Sequence, residues 1–312
     1  MKYIPLFVAL LISLISTAQT PDEFAQYQAL NNAETRLPEY KDDDFALQLK
    51  VSQLAIINQS RKKHKASPVA LDIFASRVAN KMAQEAAQNH YMGHFNMAGQ
   101  TPYMRYGLEG GRDHIIENAS AYSSSTAINA KSEEIAAMMK QLHAAFMAER
   151  APNDGHKKAC IDPTHNFIGL GIAWHDKEFR YYEEYVDRYL AFDGPATTIK
   201  SGNTIEFDVT PLLPSHHLYA MLVYYQPEPK PMKPKTISTI ASYNDFTEAQ
   251  VVNMAPWELP QPDSKGTTHL SIPSTKKGIY YIHLFLDDKP YTQGKATTAG
   301  KIIASGIVVN AY

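Results

Sequence analysis

The hydrophobic period of the chain changes near residue 167, and that change restricts the folds open to it. Upstream, apolar residues recur every three or four positions: Leu47, Val51, Leu54 and Ile57; then Leu71, Phe74, Val78 and Met82; then Ile135, Met138, Leu142 and Phe146. Such spacing places them on one face of a helix. Downstream, Ile168, Leu170, Ile172 and Trp174 alternate with Gly169, Gly171 and Ala173. This is a strand with one bulky face and one nearly bare face, against which a helix backbone can pack closely. His175-Asp176-Lys177-Glu178 turns the chain, and Arg180 to Leu190 returns as an aromatic-rich strand. Helices followed by a hairpin predict an α+β domain with helices over a sheet.

The helix ends can be placed from local chemistry. The first helix closes on the basic cluster Arg61-Lys62-Lys63-His64-Lys65, expected to be solvated. The second is expected to start at Ser67-Pro68 and run toward Asn89. The third begins near Ser132, where Glu133 and Glu134 favour the positive end of the helix dipole. Glu149 follows Phe146 at i+3, which puts a carboxylate on or beside the inward face.

After Ala191-Phe192-Asp193-Gly194-Pro195 every pattern is strand-like. Ile205 to Val209, Leu218 to Tyr225, Thr236 to Ser242, His269 to Ile272, Ile279 to Leu286 and Ile302 to Val309 predict an all-β sandwich over residues 196–312, immunoglobulin-like in style. The proline-rich run Pro227 to Pro234 is expected to be an exposed, extended connection. Tyr219, Tyr224, Tyr225, Tyr280 and Tyr281 suit core packing, and Trp257 suits an exposed loop.

With 312 residues, 44% hydrophobic and 20% charged, the chain has the composition of a soluble globular protein, and its net charge of -2 offers no footprint for nucleic acid. Lys2, the apolar run Ile4 to Ile15 and Ser16-Thr17-Ala18 predict a signal peptide over residues 1–18. The mature protein is then expected to be secreted or periplasmic, with no transmembrane span. Residues 19–45 form a polar lead-in expected to hold little fixed structure. Cys160 is the only cysteine, so no internal disulfide is possible, and its apolar neighbours predict a buried, inert thiol.

The chemistry concentrates in His94, Glu117, Glu149 and His156. Two imidazoles and two carboxylates can hold a divalent metal or divide acid and base roles. His90, four residues before His94, is the rival for the first position, while His114, His143, His165 and His175 are assigned to packing or surface. Arg105 is placed to pair with a carboxylate. No phosphate loop, Gly-x-Ser-x-Gly elbow or His-Glu-x-x-His helix occurs. Ser120, Ser123, Ser124 and Ser125 leave a Ser-His hydrolase open, although such a run more often forms a loop.

Several ordered motifs resemble the CAP superfamily, the fold of cysteine-rich secretory proteins, antigen 5 and plant pathogenesis-related group 1 proteins. They are Asn58 and Arg61; His94 with Gly99, Pro102 and Arg105; Glu117-Asn118-Ala119; Gly155-His156-Lys157; and Ile168-Gly169-Leu170-Gly171. The resemblance covers residues from about 48 to 190, within a domain placed at 46–192, is of the bacterial type, and implies an α-β-α sandwich. It also implies a cavity in which His94, Glu117, Glu149 and His156 bind a divalent metal, zinc in some members. Phe146 stands where Trp is usual, and Ala119 where Ile or Leu is common. Two function classes stay open: an envelope binding or scaffolding protein whose ligand is a lipid, sterol, glycan or protein, and a metal-dependent hydrolase of peptide or envelope polymer with Glu117 or Glu149 as general base.

Overall fold

The computed structural model describes residues 21–128, 131–244 and 250–312, so the expected signal at residues 1–18 lies outside the described residues. The first part contains α1 (Pro21–Ala33), α2 (Asp44–Lys63), β1 (Ala70–Leu71), α3 (Ile73–Gln88), α4 (Pro102–Leu108), β2 (His114–Ser123), α5 (Ser132–Ala148), α6 (Gly155–Ile161), β3 (Phe167–His175) and β4 (Glu178–Asp187). Its four strands make one sheet in the order β1-β3-β4-β2, which leaves β2 on an edge.

The alternation in β3 does what its residue sizes require. Ile168, Leu170 and Ile172 join Tyr181 and Tyr185 of β4 in a core shared with α2, α5 and α6. On the bare face α3 lies so close that a Cβ added to Gly169 would sit 2.5 Å from the Ala75 carbonyl carbon, and one on Gly171 2.4 Å from that of Ala79. Helices therefore cover both faces of the sheet, as the α-β-α expectation holds.

Four local expectations are corrected. The N-cap of α3 is Asp72, whose carboxylate accepts from the Ala75 N–H at 2.6 Å, because Ala70–Leu71 is drawn into parallel pairing with β3. Helix α5 stops at Ala148, and Glu149 turns to extended backbone instead of continuing the stripe. Arg61 is buried: its guanidinium donates to the carbonyls of Ser67, Cys160, Asp162 and His165, tying the end of α2 to the loop after α6. The lead-in is ordered from residue 21 onward, since α1 docks through long-range polar contacts. Tyr27 accepts from the Leu71 N–H at 3.1 Å, Arg77 donates to the Asn31 carbonyl at 2.7 Å, and buried Asp42 pairs with buried Lys50 at 2.7 Å.

The second part holds β5 (Leu190–Asp193), β6 (Thr198–Ile199), β7 (Thr204–Pro211), β8 (His217–Gln226), the short helix α7 (Pro234–Ile237), β9 (Gln250–Met254), β10 (Thr268–Pro273), β11 (Gly278–Asp287), β12 (Ile302–Ile303) and β13 (Ile307–Ala311). One sheet runs β10-β7-β5 and the other β6-β13-β11-β8-β9, with β12 paired to β11. Ile205, Phe207 and Leu270 from the first meet Met221, Val223, Ile282 and Leu284 from the second in a single core. Tyr219, Tyr280 and Tyr281 are buried, whereas Tyr224 and Tyr225 are half-buried. Trp257 is 60% exposed, as its loop position predicts. The strand expected at Thr236 to Ser242 does not form, because Pro234 opens a helical turn and Ile237 is buried beside Gly93. The two parts also meet where Gly107 of α4 packs on Val308 of β13; a Cβ there would lie 2.5 Å from the Val308 Cβ. No helix among the described residues is long and apolar enough to cross a membrane.

Candidate functional site

The cleft is assembled around the edge strand β2, where consecutive side chains point to opposite faces. Glu117 pairs across the sheet with Glu184 and lies on the α3 and α4 side; Asn118 pairs with Glu183 and lies on the α5 and α6 side. Each organises one histidine.

On the first side, Thr101 caps α4 and Pro102 starts it, which aims buried Arg105 back along the chain. Its guanidinium donates to the His94 carbonyl and to Glu117 Oε2. The other carboxylate oxygen, Oε1, lies 2.9 Å from His94 Nδ1. On the second side, Asn118 donates to the His156 carbonyl at 3.0 Å. Glu149, freed from the helix by its extended backbone, places Oε1 at 2.5 Å from His156 Nδ1, and its Oε2 accepts from the N–H groups of His156 (3.0 Å) and Lys157 (3.2 Å). Phe146 stacks on the His156 ring with centroids 4.8 Å apart.

The two imidazoles face each other at 6.5 Å between centroids, inclined by 27°. A carboxylate only accepts, so in the neutral form of each ring the proton sits on Nδ1 and the lone pair on Nε2. Among the described residues neither Nε2 makes a hydrogen bond. This is the arrangement in which a carboxylate orients a metal-binding imidazole. The four expected residues thus converge as two His–Glu pairs: Glu117 is held by the His94 ring and the Arg105 guanidinium, Glu149 by the His156 ring and two backbone N–H groups. His90 instead contacts His175, their rings 5.8 Å apart.

Sequence reasoning missed three features. The first is Tyr243, whose ring lies 4.7 Å from that of His94 and whose hydroxyl accepts from the Glu117 N–H at 2.8 Å. The second is Glu184, fully buried and, among the described residues, with no hydrogen bond to either oxygen. Burial and the neighbouring Glu117 charge push its carboxyl well above the usual range, against the pull of Arg105.

The third is a polar core beneath the cleft. Among the described residues, His143, Cys160 and Glu183 bring potential ligand atoms within 4.8 Å of one another, close enough to hold a metal ion; the His94, Glu117, Glu149 and His156 set is not gathered so tightly. Glu183, however, already accepts from Tyr181 (2.7 Å), Tyr185 (2.9 Å), His143 (2.8 Å) and the Cys160 thiol (3.5 Å). Burial, then the Glu183 charge, push that thiol far up, so the thiolate a metal needs is disfavoured. A filled hydrogen-bond network explains these residues, and Cys160 is buried and unreactive as expected. His114 and His165 are likewise packing residues; their Nδ1 atoms sit 2.7 and 2.6 Å from the two oxygens of Asp187.

Residues 54–185 match the family model of the cysteine-rich secretory protein family, CAP. This part of the chain is a CAP domain. Among solved structures, similarity extends to an extracellular protein containing a SCP domain from Bacillus anthracis str. Ames, at 20% identity and a TM-score of 0.32 over 55% of this chain and 45% of that one. It extends also to an outer surface protein from Borrelia burgdorferi, at 18% identity and a TM-score of 0.36 over 45% of this chain and 93% of that one. This chain therefore spans less than half the length of the Bacillus protein. No curated protein matches it. The His94, Glu117 and Arg105 side of the cleft and its Glu149 and His156 side both fall within the CAP match.

Proposed function

We propose that the chain is an exported, extracellular or envelope binding protein in three parts: a signal at residues 1–18, a CAP domain at 46–192 reached through the lead-in 19–45, and an immunoglobulin-like β-sandwich at 196–312. In this reading the CAP cleft takes a divalent cation such as zinc through Nε2 of His94 and His156. The observation that carries it is the pairing of each Nδ1 with its own carboxylate, which leaves Nε2 of both rings without a hydrogen bond among the described residues, the ring centroids 6.5 Å apart. Two imidazoles leave the remaining coordination positions to water or to a ligand's oxygen atoms. Glu117 and Glu149 orient the rings, and a general-base role for either would break a bond it already makes. Binding is therefore favoured over hydrolysis.

Metal content tests this directly. Protein purified without chelator is expected to carry stoichiometric zinc, or to take it up in a titration, and His94→Ala and His156→Ala are each expected to lose it while keeping their circular dichroism. Equal zinc binding by the parent and both variants would refute the assignment.

A further inference from the structure

The connection between β8 and β9 is largely exposed, as its proline content predicts, but it does not run free of the rest of the molecule. It crosses to the CAP domain and lies along the loop that carries His94. The Met232 N–H donates to the Met97 carbonyl at 2.8 Å. Gly99, at φ 78°, leaves room for the Lys230 carbonyl, which would stand 2.2 Å from a Cβ at that position. Ile237 is buried in a cluster with Tyr91, Met92, Phe95 and Met97, and a Cβ on Gly93 would lie 2.8 Å from its Cγ2. The Met92 N–H donates to Ser238 Oγ at 3.3 Å. Six residues beyond Ile237, Tyr243 covers His94 and engages the β2 edge at Glu117.

We propose that residues 228–243 form a built-in strap that closes the His94 side of the cleft, with Tyr243 as the stopper that withdraws before a ligand larger than an ion or water reaches His94 Nε2. The two histidines differ accordingly: the His94 side chain is 9% exposed and that of His156 35%. The strap is anchored by one buried side chain, Ile237, by half-buried Met232 and Tyr243 packed against the CAP-domain clusters, and by a few hydrogen bonds, which suits a segment that opens locally while the domains stay folded. Tyr243 also occupies an edge-strand donor, the Glu117 N–H, which an incoming chain would otherwise find unpaired. The second part of the molecule thus regulates access to the first. This concerns the cleft of the proposed function but does not depend on what the cleft binds.

Carbethoxylation tests it without any metal. The reagent diethyl pyrocarbonate acylates a neutral imidazole at its free lone pair, here Nε2, and rates at individual histidines are read by peptide mass spectrometry in the presence of chelator. In the full-length parent, His94 is expected to react on the order of tenfold more slowly than exposed His64, because reactivity scales with the fraction of molecules whose strap is open. In Tyr243→Ala the His94 rate rises toward that of His156, which itself stays unchanged. Ile237→Ala loosens the strap at a separate point and is expected to move His94 the same way, so failure of either variant to fold leaves the other as the test. His94 reacting as fast as His64 in the parent, or staying slow in the folded variants, would overturn the strap. Loss of the zinc reading alone leaves these rates as they are.

Discussion

Removing the charge of Glu117 should expose a hidden reserve in Glu184. The two face each other across β2 and β4, with one guanidinium, Arg105, between the demands of both. Glu117 makes the ion pair with Arg105 and bonds His94, while the Glu184 carboxyl, raised by burial and by the Glu117 charge, makes no hydrogen bond among the described residues. Deleting one member of a buried ion pair costs about 3 to 5 kcal/mol. Arg105 would still donate to the His94 and Gln100 carbonyls, so the lower end of that range applies. In Glu117→Gln, however, the repulsion that suppresses Glu184 ionisation disappears, and a charged Glu184 can take over Arg105, returning about 1.5 to 3 kcal/mol. The single variant should therefore lose no more than about 1.5 kcal/mol. Glu184→Met, which replaces a buried carboxyl lacking hydrogen bonds among the described residues with an apolar chain of similar length, should lie between neutral and about 1 kcal/mol more stable. The double variant has no substitute anion and should fall about 3 kcal/mol below the parent. Urea unfolding followed by tryptophan fluorescence and circular dichroism gives the four stabilities. A coupling of more than about 1 kcal/mol is expected from residues sharing one partner. Additivity within about 0.5 kcal/mol would refute the exchange of roles.

Two further outcomes follow from packing and titration. Gly171→Ala would drive a methyl into the Ala79 backbone carbonyl at 2.4 Å, where no rotamer change can relieve it; a loss of about 1 to 3 kcal/mol is expected, read as a lowered unfolding temperature. Asp187 is pushed up by burial but more strongly down by the hydrogen bonds and charges of His114 and His165, to about 2. A depressed carboxyl contributes stability above its unfolded pKa near 3.8 and loses it as pH falls through about 2. The stability gap between the parent and Asp187→Asn should thus shrink by about 2 kcal/mol between pH 5 and pH 2, and a constant gap across that range would contradict the linkage.

What the sequence made legible was whatever depends on neighbours a few residues apart. The stripes of α2, α3 and α5 and the bare face of β3 follow from side-chain period alone, and the glycines of β3 meet the alanines of α3 as their size requires. The edge strand β2 was not read as a strand. Its run from His114 to Ser123 mixes His114, Glu117 and Asn118 with apolar residues, and the three are buried because Asp187, Arg105 and the His156 loop answer their polarity in turn from elsewhere. Helix α1 is polar and in sequence looks like loose chain, since its attachments to Arg77 and Leu71 span 46 and 44 positions. The histidines and glutamates of the cleft were found through their motifs, yet their division into two pairs was not, because Glu149 faces His156 only once α5 has ended. Tyr243 was beyond reach altogether: it is 126 positions from the residue whose N–H it accepts, in a run of Thr, Ile and Ser that imitates a strand.

Because Glu117 and Asn118 sit next to each other on a boundary strand, the imidazoles approach around the rim of the sheet instead of through it. Each belongs to a different helical layer, and the sheet is what the layers share. An ion gripped by both would work as a clip between layers, and its occupancy would register as resistance of the domain to unfolding, about 2.7 kcal/mol at a free concentration one hundred times the dissociation constant. The converse holds as well. Any force that prises α6 from α5, or the His94 loop from Arg105, would change the gap between the rings and weaken the grip long before the fold itself gave way.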